Sequence, residues 1–389
     1  MAQGGRVRQR RGIAQSALLA AASGVAVVVG LRQSPGGAYR SRRARNGLQN
    51  RAVAVCVPVR DEERTLPVLL RALAALDRRG VAAHACFYLD SCGDGSEAVL
   101  RSMAADLGCP VRIAVGPCHP DSNAGRARRA AMALGLDVLS GRPDALLLST
   151  DADSRPRPDW LQAAIRALAV SDVAAGRLPR IGGARDALQG RIERYYDRLH
   201  ALRRAIDPVP WDTTMGCHCG GGANLAMRAD VYTALGGFAP LPAGEDARLL
   251  DDAARAGFRV RREPAMVVET SSRRLGRAPD GLAASLRALD VTGLPRIQHP
   301  EAAAWQWARH AAARMAFAAI DDLAARARFG ASIGLSADHV LGVARDCPNA
   351  EAFAMRIVPA MPDAGRRVSL PEAERALGEL EAALCRGAA

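Results

Sequence analysis

The sequence predicts an α/β protein: a mostly parallel central sheet flanked by helices, followed by a helical C-terminal extension. Three observations predict it. From Ala52 to Ser149, short apolar runs suited to buried strands alternate with stretches whose apolar residues recur at helical spacing. Each apolar run breaks into a polar, glycine- or proline-marked loop. After about Gly281 the pattern becomes helical and alanine-rich throughout.

In order, residues 1–50 read as a basic and apolar leader with a linker. Within it, 13–31 form a weakly apolar stretch flanked by arginines, about long enough to cross a bilayer. A membrane anchor, a cleaved signal peptide and a leader of another kind remain open; the crowding of arginines after the stretch favours placing the region that follows on the cytoplasmic side in the anchored case. Residues 51–280 make the α/β unit. "AVAVCVPVRDEE" is a strand ending in a charged loop, and "TLPVLLRALAALDRR" is a helix with Thr65 as N-cap. "HACFYL" is a second strand running into "DSCGDGS", and a helix extends to about Leu107. "PVRIAVG" is a third strand, "RARRAAMALGLDVL" a helix, and "ALLLS" a fourth strand running into "TDADSRPRPDW". Strands alternating with helices of this length call for parallel pairing with right-handed crossovers. Residues 281–389 are helical, with Trp305, Trp307 and Phe317 as anchors of an acceptor-binding or membrane-surface subdomain, or of a cap or dimer contact; packing against the sheet or a second copy is the favoured reading.

A chain of 389 residues supports one large or two modest domains with a real core. The net charge of +13 would ordinarily point to a polyanion. All the basic residues are arginine, however, as a bias toward GC-rich codons would produce, and no nucleic-acid-binding motif is present, so no specific nucleic-acid partner is expected. Nine cysteines without zinc-finger spacing suit a reducing compartment. Cys217-His218-Cys219 lacks a second ligand pair and is read as a packed loop.

Ligands of open parallel sheets lie beyond the carboxyl ends of the strands. Arg60, Asp61 and Glu62 follow the first strand, Asp90 and Asp94 the second, Arg126 and Arg128 lie beyond the third, and Asp151 and Asp153 follow the fourth. Carboxylates gathered at one edge repel one another unless a divalent cation and phosphates sit among them. An Asp-x-Asp pair suits Mg2+ or Mn2+, which take one or two carboxylates together with substrate phosphates. Further along, "GED" places Glu245 and Asp246 in the first turn of a helix, where acidic residues suit the dipole and where Asp246 could also serve as a base. The glycines of "CHCGGGANLAMRADVYTALGGF" allow a close backbone approach around Gly222, with Asn224 as a hydrogen-bond donor.

Taken together, "VPVRDEE", "LDSCGDGS", "NAGRARRAAM", "TDADSRPRPDWL", "GGGANLAMRADVYTALGGF" and "GEDARLLDDAARAGFRVRREP" resemble an inverting family 2 glycosyltransferase of the GT-A fold, of non-processive type, over about 53–274. The resemblance implies a Rossmann-like sheet and a nucleotide-sugar donor, UDP-linked by preference. It places Pro58, Arg60, Glu62 and Asp90 at the nucleoside, and Arg126, or less favourably Arg128, near the nucleotide. It gives Asp151 and Asp153 to the metal, with Asp153 as the more direct ligand, Asp246 as catalytic base and Glu245 beside it as an acceptor contact. The acceptor is a glycan, lipid or small molecule.

Two features depart from the pattern. No Gln-x-x-Arg-Trp motif follows "GED", and "TSSRRLGR" follows the last strand instead, offering Arg273 and Arg274 as diphosphate clamps or as a basic turn. The competing reading is a degenerate protein of the same fold acting as an arginine-rich binding or membrane adaptor, which predicts loss of the metal and base carboxylates. Localisation is expected to be cytoplasmic, with peripheral association at the inner membrane, and homodimerisation is compatible with the helical extension.

Overall fold

In the computed structural model, residues 51–387 are described apart from 120, 122, 141, 143, 182–186, 216–220, 277–280 and 362–364. Strand β1 (Arg51–Val59) shows how the sequence builds two layers on one sheet. Its valines at 53, 55, 57 and 59 alternate onto one face. There they pack with leucines of α1 (Leu66–Ala74). Ala52, Ala54 and Cys56 occupy the other face and pack against α3 (Ala124–Val138). Small residues on that face let the helix come close: a Cβ on Gly135 of α3 would lie 2.5 Å from the Cys56 sulfur.

The remaining strands are β2 (Val81–Leu89), β3 (Val111–Val115), β4 (Leu146–Ser149), β5 (Arg155–Pro156), β6 (Val173–Arg177), β7 (Leu225–Arg228) and β8 (Val260–Glu269). They form one eight-stranded sheet in the order β3-β2-β1-β4-β7-β6-β8-β5. The first four pair in parallel, as do β6 and β8, whereas β7 runs against both β4 and β6, and β5 against β8. The chain steps outward from β1 to β2 and β3, then returns to place β4 on the other side. Between β1 and β4 lies a topological switch point, where the loops leaving the two strands diverge and open a crevice. Thr65 does not cap α1 through its side chain; the hydroxyl donates instead to the Glu62 carboxylate at 2.7 Å.

Helices α2 (Ser96–Met103) and α4 (Trp160–Leu168) cover the sheet face that carries the β1 valines. Between β6 and β7 runs α5 (Ala187–Ile206), a long polar helix. After α6 (Ala229–Ala234), α7 (Glu245–Arg255) and β8, the chain forms α8 (Leu282–Thr292), α9 (Pro300–Ala318), α10 (Leu323–Ile333), α11 (Ala337–Arg345), α12 (Ala350–Ile357) and α13 (Leu370–Gly387). A two-stranded ribbon of β9 (Ile297–Gln298) and β10 (Arg367–Val368) ties α9 to α13. One apolar cluster joins α5 to α8, α9 and α13, and another holds α9 to α12 together. The Asn349 amide donates to the carbonyl of Gly257 at 2.9 Å, pinning the start of α12 to the end of α7. Among the described residues no helix is long and apolar enough to cross a membrane. Residues 13–31 and Cys217-His218-Cys219 lie outside the described residues.

Candidate functional site

A cavity of about 1080 Å3 opens at the switch point and runs from the carboxyl ends of β1 and β4 to the C-terminal helices. Pro58, Arg60, Glu62, Asp90, Asp151, Asp153, Gly222, Glu245 and Asp246 all line it. Nine positions expected at the site from five different loops and strand ends therefore share one space.

At its centre lies Arg128, buried on the inward stripe of α3 with Gly125, Ala131, Met132 and Gly135. Its Nη1 donates to Asp151 Oδ1, Ser149 Oγ and the Gly222 carbonyl, each at 2.9 Å, and its Nε donates to Glu245 Oε1 at 3.0 Å. One guanidinium thus ties the end of β4, the loop before β7 and the start of α7. Burial opposes its charge, but Asp151 and Glu245 outweigh burial and hold its pKa above the usual arginine value. Glu245 is raised from the usual carboxylate value, because burial and Asp246 overcome the pull of Arg128. Gly222 is required here: a Cβ would lie 2.6 Å from the guanidinium carbon of Arg128.

Two expectations need correction. Arg126 does not line the cavity; its Nη2 donates to the Asp121 carbonyl at 2.9 Å, because position 126 lies off the buried stripe of α3. Asn224 does not reach the cavity either. It is fully buried; its amide nitrogen donates to the carbonyls of Arg177 and Met266 at 2.8 and 2.9 Å, and its oxygen accepts from Trp160 Nε1 at 2.8 Å. Asn224 holds the sheet together behind the site.

At the β1 and β2 end, Arg60 donates to Asp90 at 3.3 Å. Asp61, Cys92 and Asp94 bring potential metal-ligating atoms within 4.8 Å of one another. These carboxylates already lace two loops together, since Asp61 accepts from Gly93 N at 2.7 Å and Asp94 from Glu63 N and Ser96 N, both at 3.0 Å.

Asp153 sits deeper. Burial pushes its pKa up to about 6, with Asp151 and Glu62 adding to the rise and Arg273 opposing it. Arg273 is the cation that meets this acidic group: it donates to both oxygens of Glu62 and lies 3.3 Å from Asp153. Its neighbour Arg274 turns away to Asp290 at 2.8 and 3.0 Å. Asp151 and Asp153, two residues apart, both open on the cavity and offer the hard oxygen donors that a divalent cation takes. Asp151 and Asp153 are the residues present that would hold such a cation.

Asp246 Oδ2 accepts from Gly222 N at 2.7 Å and Oδ1 from Ala247 N at 2.6 Å. The carboxylate is thereby oriented by the same glycine loop that carries the Arg128 contact. Gly125 explains the path of the chain into this helix: its N donates to the Leu241 carbonyl at 2.9 Å, and a Cβ there would lie 2.0 Å from the Ala239 oxygen.

The sequence reading missed the far wall. Helix α5 contributes Tyr196, His200, Arg203 and Arg204, β8 contributes Arg262, and the C-terminal helices contribute Trp307, His310, Arg314 and Glu351. A signal for α5 was present, since Ile192, Tyr195, Leu199, Leu202 and Ile206 alternate at spacings of three and four.

No protein-family model and no curated protein sequence matches the chain. Several solved structures are similar in shape. Residues 1–349 of S. aureus TarS in complex with UDP-GlcNAc align over 78% of this chain and 89% of that one, at 12% identity and a TM-score of 0.45. The mannosyltransferase PcManGT from Pyrobaculum calidifontis, in complex with GDP-Man and Mn2+, aligns over 90% and 94%, at 16% identity and a TM-score of 0.42. Glucosyl-3-phosphoglycerate synthase from Mycobacterium tuberculosis, with Mn2+, UDP and phosphoglyceric acid, aligns over 63% and 80%, at 18% identity and a TM-score of 0.38. Likenesses this distant do not transfer a ligand or a reaction to the chain.

Proposed function

We propose that the chain is a glycosyltransferase of GT-A type, with the inverting family 2 enzymes as its nearest class, which moves a sugar from a nucleoside-diphosphate sugar to an acceptor hydroxyl. The observation that carries this reading is the single cavity at the switch point, onto which the strand-end carboxylates Asp151 and Asp153 and the helix-start carboxylate Asp246 all open. The adaptor alternative predicts loss of those groups and is not favoured.

In this reading Pro58, Arg60, Glu62 and Asp90 border the nucleoside, UDP being the preferred form. Asp151 and Asp153 would hold Mg2+ or Mn2+, which when bound supplies positive charge to the departing diphosphate. Asp246 accepts the proton of the acceptor hydroxyl as the new bond to the anomeric carbon forms and the bond to the diphosphate oxygen breaks. Attack opposite the leaving group inverts the anomeric centre. Glu245 keeps Arg128 in place and so holds the base-bearing turn against the strand that carries the metal pair. Arg273, which pairs with Glu62 and Asp153, lies beside the metal pair, where its guanidinium would meet the charge of the diphosphate.

Calorimetric titration of the full chain with UDP, GDP, dTDP and CMP, with Mn2+ and then with chelator, tests this. The expected result is metal-dependent binding of one nucleotide, lost in Asp153→Asn. A folded protein that binds none of them overturns the proposal.

A further inference from the structure

The wall of the cavity opposite the metal pair carries Arg203, Arg204, Arg262 and Arg314. Three acids accompany them, and each is engaged by another arginine or by backbone. Arg314 lies 3.1 Å from Glu351 and also pairs with Asp207. Arg204 lies 3.8 Å from Asp207 and 3.6 Å from Asp212. Asp212 also accepts from the backbone of Arg262 at 2.8 Å and of Thr213 at 3.0 Å.

Arg203 is left over. Among the described residues its guanidinium makes no hydrogen bond and no ion pair; its Nε is buried without a partner, and it lies over the face of Trp307, 5.8 Å from the ring centre. A basic residue in the last turn of a helix is ordinary. A basic residue there that lines a cavity among like charges, with no acid in ion-pair range, is not, because a charge drawn partly out of water without a partner costs stability unless something else compensates it.

We propose that this end of the cavity is an anion-binding subsite, with Arg203 as its principal contact, and that the acceptor carries a phosphate or carboxylate group that Arg203 binds through two parallel N–H donors. Burial first, and then Arg204, Arg262 and Arg314, lower the pKa of Arg203 to about 10, with Asp207 opposing. An arriving anion relieves that crowding, which makes the planar fork of arginine effective here. Arg262 connects the subsite to the chemistry, since the charges of Asp212, Arg204 and Asp246 all act on it. The assignment of the anion to an acceptor rests on the glycosyltransferase reading; the binding of an anion does not.

The test uses the full chain with inorganic phosphate and, separately, malonate, at constant ionic strength made up with NaCl. Affinity is read by calorimetry on the wild type, Arg203→Met, Arg203→Lys and, as a control at the other end of the cavity, Arg273→Met. Saturable binding is expected, weakened about tenfold or more by Arg203→Met, partly restored in Arg203→Lys and retained in Arg273→Met. Tighter phosphate than malonate binding assigns a phosphate-bearing ligand, and the reverse a carboxylate.

A merely structural Arg203 would lower the melting temperature when replaced. An unpaired binding arginine predicts that Arg203→Met melts no lower than wild type in anion-free buffer. Absence of wild-type binding, unchanged binding in Arg203→Met, or loss confined to Arg273→Met overturns the proposal, and if Arg203→Met fails to fold, unchanged binding in Arg203→Lys overturns it instead. Nucleotide titration of the same samples separates the two readings. If no nucleotide binds while phosphate binding still depends on Arg203, the transferase fails and the anion subsite stands.

Discussion

Replacing Arg128 with Met keeps most of the side-chain volume and removes every donor that the guanidinium supplies to the centre of the site. Glu245, Asp151 and Ser149 Oγ each lose a donor, as does the Gly222 carbonyl, which keeps the Ser149 hydroxyl at 2.9 Å. Glu245 dominates, since its side chain is 5% exposed and cannot recover water, whereas that of Asp151 is 34% exposed and recovers much of its hydration. Breaking a buried pair by removing one partner costs about 3–5 kcal/mol, most of it the penalty on the orphaned charge. The cost therefore depends on the charge of Glu245, and Arg128→Met/Glu245→Gln should recover about 1–3 kcal/mol of it. Arg126→Met, two residues away, loses one hydrogen bond to a backbone carbonyl and should cost about 1 kcal/mol or less. Urea unfolding of the four proteins at pH 7.5, with intrinsic fluorescence as the signal, gives these differences. Equal costs at 126 and 128, or no recovery in the double variant, would refute the assignment of Arg128 as the central tie.

Three further predictions follow from the same geometry. Asp246→Asn retains an oxygen for Gly222 N and should leave metal-dependent nucleotide binding within about threefold while lowering sugar transfer about a hundredfold or more, in line with loss of a general base; transfer at near wild-type rate would remove Asp246 from that role. Arg273→Met deprives Glu62 and Asp153 of their cation and should lower the melting temperature in chelator, with Mn2+ restoring more stability to the variant than to the wild type; equal restoration would count against competition between Arg273 and a metal ion. Burial lowers the pKa of His310 to about 3, and Arg314, Arg203 and Arg255 reinforce the effect. A base depressed in the folded state favours the native form above its unfolded pKa near 6.5, and that contribution is lost as pH falls toward 3. Between pH 6.5 and 4.5 the protein should thus lose about 2–3 kcal/mol through this residue, and His310→Gln should abolish that portion of the slope in urea midpoints measured across the interval.

The strand–helix alternation was legible because buried parallel strands read as apolar runs and their loops as polar breaks; the strand order, and with it the switch point between β1 and β4, was not, because apolar runs do not say which strands pair. The carboxylates at the strand ends and at the start of α7 were legible all the same, since position in an open parallel sheet fixes which loops converge. Motif order does not separate Arg126 from Arg128, since it places both just after Gly125. Helical phase separates them, because 128 falls on the stripe with 125, 131, 132 and 135 and 126 does not. Asn224 failed for another reason: three partners from α4, the end of β6 and β8 converge on it, and only tertiary structure brings those together. The α5 wall was obscured by its arginines, which mask an apolar stripe of ordinary spacing.

The placement of charge along the cavity supplies an orientation that no single residue provides. The sheet end gathers Glu62, Asp151 and Asp153, with Arg273 as the cation upon Glu62 and Asp153. The helical end gathers four arginines against three acids, all of which other groups already engage. A ligand whose phosphates arrive with a divalent cation is favoured at the first end, and an uncomplexed anion at the second. Asp246 and Arg262 line the same cavity, close enough for their charges to interact. A donor and an anionic acceptor would therefore be sorted by electrostatics before any shape is tested, with the reacting atoms brought to the middle. The net charge of +13 takes on a local meaning in this arrangement. Part of the arginine excess is held inside the fold, on the wall facing the carboxylates, where it acts on small ligands and contributes nothing to a nucleic-acid surface.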